Sequence, residues 1–141
     1  MKTLTSSFFV LAVLLTALAV PALADDHEAA PLFINLTTDD PHSANMAIAF
    51  GKNQMERGHP LTIFLNDRGV MVGDRGNSER FARHQETLAE LIEQGADVLI
   101  CMMCMRHFGV AQEDLMDGLQ LGNPELTGGA LFKPGSRSLT W

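Results

Sequence analysis

Asp97-Val98-Leu99-Ile100-Cys101-Met102-Met103-Cys104-Met105-Arg106-His107-Phe108-Gly109-Val110 changes character at its first cysteine. Before it, Val98 to Ile100 is a short, wholly apolar run, the pattern of a strand buried on both faces in a parallel sheet. After it the pattern is helical or turn-like until Gly109 breaks it. The stretch therefore predicts a central strand that ends at Cys101. A thiol at the carboxyl end of a parallel strand sits where open α/β sheets place their ligands. Backbone N–H groups of the following turn would favour an anion there, a thiolate included.

Working outward, the flanking segments alternate between strand and helix patterns. Leu32 to Leu36 and Leu61 to Leu65 read as the first two strands. Between them, Asp39-Asp40-Pro41 is an acidic cap followed by a first-turn proline. Ala44, Ala47, Ile48, Gly51 and Met55 recur at helical spacing, and Gly58 stops that helix. Asn66 to Ser78 is a long connection with three glycines. Its apolar centre, Arg68-Gly69-Val70-Met71-Val72, either covers the cysteine crevice, meets another subunit or tucks onto its own sheet. Glu79 to Gln94 is a second helix with Phe81, Leu88, Leu91 and Ile92 inward, stopped by Gly95. Gln112 to Asp117 reads as a short third helix and Leu119 to Leu121 as a brief strand. Pro124 to Leu131 reads as a last helical turn and Ser138 to Trp141 as an edge strand. The expected fold is a three-layer α/β/α domain with a mostly parallel sheet of about five strands.

The first residues belong to targeting and not to the fold. Lys2, the apolar run Phe8 to Val20 and the small-x-small site Ala22-Leu23-Ala24 predict a signal peptide over 1–24, cleaved after Ala24. Its apolar run is short for a membrane span, and no second one follows. Cleavage leaves 117 of 141 residues: a polar leader over 25–31, then one domain over 32–141. Losing Lys2 takes the net charge from −7 to −8. A chain that acidic, with no basic stripe, argues against nucleic acid as a partner. The expected location is periplasmic. Two cysteines are too few for a disulfide scaffold, and the loop they would close is too small to stabilise much by entropy.

The chain resembles the DsrE/DsrF-like family, the sulfur-relay proteins that include the TusD-type carrier subunits. The residues that carry the likeness are Phe64-Leu65-Asn66-Asp67-Arg68-Gly69-Val70 and Ile100-Cys101, with Gly109-Val110 eight and nine positions on. The resemblance implies a persulfide-carrying role for Cys101 and a second cysteine at Cys104 that only some members have. It also implies a homo- or hetero-oligomer with the cysteine near subunit contacts, a homo-oligomer being expected here. The well-understood carriers work in the cytoplasm and pass sulfur towards tRNA or a sulfite reductase. An export signal departs from that pattern and argues against tRNA as the acceptor.

A sulfur carrier needs a nucleophilic thiolate that accepts a sulfane sulfur, holds it as Cys-S-S⁻ and yields it to another thiolate. In that reading Cys101 is the acceptor and Cys104 a resolving or second thiol. Arg106 and His107 supply electrostatic support, and donor and acceptor proteins with reactive thiols are the partners. The plain alternative is a small buried hydrophobe at a strand end. Two further chemistries fit the same residues. A Cys-x-x-Cys dithiol serves thiol–disulfide oxidoreductases, although here it follows the third strand and not the first. Cys101, Met102, Met103, Cys104, Met105 and His107 form a set of soft ligands suited to Cu(I), although methionines more often fill core gaps. Zinc would lack a closed set of four ligands. No cofactor is expected. His42 is placed to approach the crevice from the first strand's end, while His27, His59 and His84 read as surface residues.

Overall fold

The computed structural model describes residues 29–141, so the signal peptide over 1–24 and most of the leader over 25–31 lie outside the described residues. Five strands form one all-parallel sheet: β1 (Leu32–Leu36), β2 (Leu61–Leu65), β3 (Asp97–Cys101), β4 (Gln120–Gly122) and β5 (Arg137–Thr140). Their spatial order is β4-β3-β2-β1-β5. The cysteine strand β3 is thus one in from the edge, and β2 holds the centre. Pattern alone cannot separate the two positions, because both strands are paired on two sides and both are buried.

Helix α1 (Pro41–Met55) begins as its sequence dictates. Asp40 caps it by accepting the Ser43 N–H at 2.8 Å, and Pro41 fills the first turn. Ala44, Ala47, Ile48 and Gly51 form its buried stripe, with Met55 packed at the margin. Gly51 is required by close approach, since a Cβ there would come within 3.0 Å of Ile34 and 3.2 Å of Leu61. Helix α2 (Ser78–Glu93) buries Phe81, Leu88 and Leu91 beside α1, with a kink at Phe81.

Steps from β1 to β4 run one way across the sheet, and α4 (Pro124–Leu131) carries the chain back to β5. Right-handed crossovers then put α1 and α2 on one face and α4 on the other. The two layers are unequal. Ile34, Leu36, Ile63, Leu65, Val98 and Ile100 belong to the main core with α1 and α2. Phe33 and Leu99 are buried on the opposite face, but α4 buries no residue of its own. Phe132, just past its end, is 82% exposed. A cleft of about 490 Å³ lies between α4 and the sheet, lined by Phe33, Phe64, Leu131 and Phe132 among others.

Several expectations change in detail, and β4 lies one residue later than the expected Leu119 to Leu121. The connection after β2 is two 3-10 turns, Asp67–Val72 and Arg75–Asn77, and the first is tucked onto the sheet with Val70 and Val72 fully buried. The expected helix over Gln112 to Asp117 is one 3-10 turn, Gln112–Asp114. Beyond it Met116 donates its N–H to the Gly73 carbonyl at 2.9 Å and buries its side chain, while Leu115 bridges to Asp74. These ties to the 3-10 connection outcompete the next helical turn. The last strand begins one residue earlier than expected and ends at Thr140, while Trp141 turns its ring onto Phe50 at 5.8 Å.

Candidate functional site

Cys101 is both the last residue of β3 and the cap of α3 (Met102–Phe108). Its backbone stays extended, at φ −76° and ψ 109°, so the side chain turns back over the start of the helix. There Cys101 Sγ accepts the Cys104 N–H at 3.2 Å. Three residues along a helix start bring both side chains to one face, so the Cys-x-x-Cys spacing sets the two thiols side by side. Both thiols are free and half-buried. The neighbour of Cys101 in the sheet is Gly122, where a Cβ would come within 3.1 Å of the Ile100 carbonyl and of Phe64.

Burial pushes the Cys104 thiol above its ordinary pKa, and the hydrogen bond it shares with Cys101 raises it further. The backbone N–H of Asp67 acts the other way, and the nearby Asp67 charge adds a further rise. The balance disfavours the Cys104 thiolate. Asp67 is also the one described residue other than glycine with a left-handed backbone, at φ 47°. That conformation is costly without a glycine, and it lies beside the second thiol.

The other expected residues are placed apart from Cys101. Arg106 and His107 occupy the last turn of α3, roughly 8–9 Å along the axis from Cys101 at 1.5 Å per residue. Both are exposed, and neither makes a hydrogen bond to either sulfur among the described residues. Positive charge there complements the carboxyl end of the helix. The His107 ring meets the Phe108 ring edge-on at 4.7 Å. Of the soft ligands, Met105 is buried in the core, whereas Met103 is 72% exposed. A metal would thus find Cys101, Cys104 and the outward methionines, without Met105 and with His107 at the far end. No three His, Cys, Asp or Glu side chains converge as a metal-ligating group among the described residues.

His42 is exposed in the first turn of α1. Two histidines read as surface residues are half-buried. His84 Nε2 lies 2.8 Å from the Pro41 carbonyl, and His59 Nδ1 lies 2.8 Å from the Ala30 carbonyl. His27 is outside the described residues.

Sequence reasoning missed a bracket around the thiols. Arg68, in the first 3-10 turn, donates to both oxygens of Asp39 at 2.8 and 2.7 Å and lies 5.7 Å from the centre of the Phe108 ring. Arg80 reaches the same carboxylate at 3.4 Å. The Arg68 hydrogen bond is the main reason the Asp39 carboxyl lies below the ordinary carboxylate value, with burial opposing it. One guanidinium thus ties the β1–α1 loop, the connection and α3 together. The strand order reverses between β1 and β5, two strands from Cys101. This bracket and the α3 cap, not the reversal point, define the site.

Fold and site together define a single-sheet parallel α/β protein with a paired thiol at a strand's carboxyl end. The chain belongs to the DsrE/DsrF-like family, whose model matches residues 30–131. An uncharacterised protein of Methanopyrus kandleri is 34% identical over 79 residues, 55% of this chain and 65% of that relative's length. An uncharacterised protein of Methanocaldococcus jannaschii is 31% identical over 93 residues, covering 63% of this chain and 82% of the relative. Among solved structures, a protein of unknown function from Methanobacterium thermoautotrophicum aligns with a TM-score of 0.67 at 19% identity, over 79% of this chain and 99% of its own. The ychN protein of E. coli aligns at 0.59 and 22% identity, over 79% and 99%. Those two similarities concern the fold.

Proposed function

We propose that the protein accepts a sulfane sulfur on Cys101, holds it as a persulfide and passes it to a thiol of a partner protein. The observation that carries this reading is the half-buried Cys101 sulfur at the end of β3, receiving a backbone N–H from Cys104. A persulfide formed there keeps its inner sulfur on a fixed donor, and the half-buried position leaves the outer sulfur for a partner to reach. Transfer then proceeds by attack of the partner's thiolate on the outer sulfur, with Cys101 as the leaving group. Membership of the DsrE/DsrF-like family supports it. Export, a homo-oligomer and thiol-bearing donor and acceptor proteins complete the reading; N-terminal sequencing of the cellular protein and light scattering test the first two.

The test is intact mass after exposure of the reduced protein to inorganic polysulfide. Cys104→Ser, which retains the backbone N–H on Cys101, gains one sulfur atom, and Cys101→Ser gains none. Equal uptake by Cys101→Ser would refute Cys101 as the acceptor. A second reading, a thiol–disulfide oxidoreductase, draws on the same contact between the two thiols. It requires that the dithiol cycle with a model disulfide while neither variant takes up sulfur.

A further inference from the structure

Cys104 is not placed to be a second carrier. Its own N–H is on the inner sulfur atom of any Cys101 persulfide, and its side chain stands three residues on from that atom at the same helix start. Residues three apart at a helix start lie within the span a disulfide closes. Its side chain is half-buried against the 3-10 turn that starts at Asp67. The nucleophile nearest the inner sulfur is therefore in the same chain.

From this geometry we infer that the protein has a second activity, reduction of its bound sulfane sulfur to hydrosulfide, with Cys104 as the discharging thiol. The inference rests on Cys101 being loaded as a persulfide. Cys104 sulfur attacks Cys101 Sγ, forming the Cys101–Cys104 bond and breaking the bond to the outer sulfur. The outer sulfur leaves with the bonding electron pair and takes the Cys104 proton. In sum, Cys101-S-S⁻ and Cys104-SH become the intramolecular disulfide and HS⁻. The sulfane sulfur is reduced by two electrons and the two cysteines are oxidised by two. Hydrosulfide is a less basic leaving group than an alkyl thiolate, which favours expulsion from this side. One reduced chain discharges once, and a further round requires an external dithiol reductant.

The two routes then divide according to which sulfur is attacked. A partner thiolate reaches the exposed outer sulfur and receives it, while Cys104 reaches only the inner sulfur and releases it. Burial raises the Cys104 thiol, which lowers its thiolate fraction and slows discharge relative to transfer.

The experiment uses the reduced mature protein with one equivalent of inorganic polysulfide and no added reductant. Free sulfide and intact mass are followed together for the native protein, Cys104→Ser, Cys104→Ala and Cys101→Ser. The native protein should release sulfide in proportion to a species that has lost two hydrogens and carries no extra sulfur. Both Cys104 variants should retain the added sulfur and release at least tenfold less sulfide. A native protein that keeps the extra sulfur as stably as the Cys104 variants overturns the discharge while leaving the carrier reading intact. If neither Cys104 variant gains sulfur, the carrier reading itself has failed.

Discussion

At Gly69 the connection crosses the end of β1 so closely that a Cβ would strike the Leu36 carbonyl. The obstacle is backbone, which cannot swing aside as a side-chain tip can. Gly69→Ala should therefore lower stability by about 1–3 kcal/mol, the usual cost of overpacking. Equilibrium urea denaturation measures it, and an unchanged midpoint would show that the approach is looser than described. Gly69 lies in the same 3-10 turn as Arg68, so its displacement is also felt at α3. Gly109 is a different case. Its φ of 74° closes α3 in the left-handed region, where a side chain is strained although the space is open.

Among the elements, the Arg68–Asp39 bracket links the β1–α1 loop to α3 and has a pH signature. The Asp39 carboxyl is 14% exposed and lies below its ordinary value of 3.8 when folded. Unfolded, it regains that value and binds protons more readily. The pair's contribution is therefore present in full above about 3.8 and is lost as pH falls through the lower folded value. Native protein should lose stability more steeply below pH ~4 than Asp39→Asn does. Parallel slopes in urea titrations at several pH values would remove the bracket from the account. The Asp40 carboxyl, lowered by Ser43, contributes equally to both proteins and so cancels.

The bracket also marks the limit of what the sequence discloses. β1, β2 and β3 were legible because buried parallel strands are written as apolar runs, and α1 because its cap, proline and small-residue stripe agree. The contact between Cys101 and Cys104 was legible from spacing, since a separation of three has one outcome at a helix start. Asp39 and Arg68 stand 29 positions apart, and nothing local records that they meet. The 3-10 turns carry no period to detect. Gln112 to Asp117 has helical composition, yet Met116 is claimed by the core and by Gly73. Arg106 and His107 are near the thiols in sequence, but α3 puts most of its length between them and Cys101.

For the molecule as a whole, the inequality of the two layers sets the order of loosening. α1 and α2 share a dense core with three strands, whereas α4 buries nothing and the four residues of β5 are all exposed. Native-state hydrogen exchange should find the slowest amides in β2, β3, α1 and α2, with α4 opening far more readily. Protection of α4 equal to that of α1 would contradict this for the isolated chain. Within the main core, Ile100→Ala should cost about 2–5 kcal/mol by thermal or chemical denaturation, because its side chain is fully enclosed.

The role of β5 has a practical corollary. It shields the outer side of β1, through the Leu32–Arg137 to Asn35–Thr140 register and the bonds joining Thr37 and Asn35 to Trp141. If those last residues peel away, Leu-Phe-Ile-Asn-Leu becomes a bare apolar edge, a template on which other chains add strands. Warming or a bulky fusion after Trp141 would then cause clumping before the main core melts, so affinity handles belong away from that end.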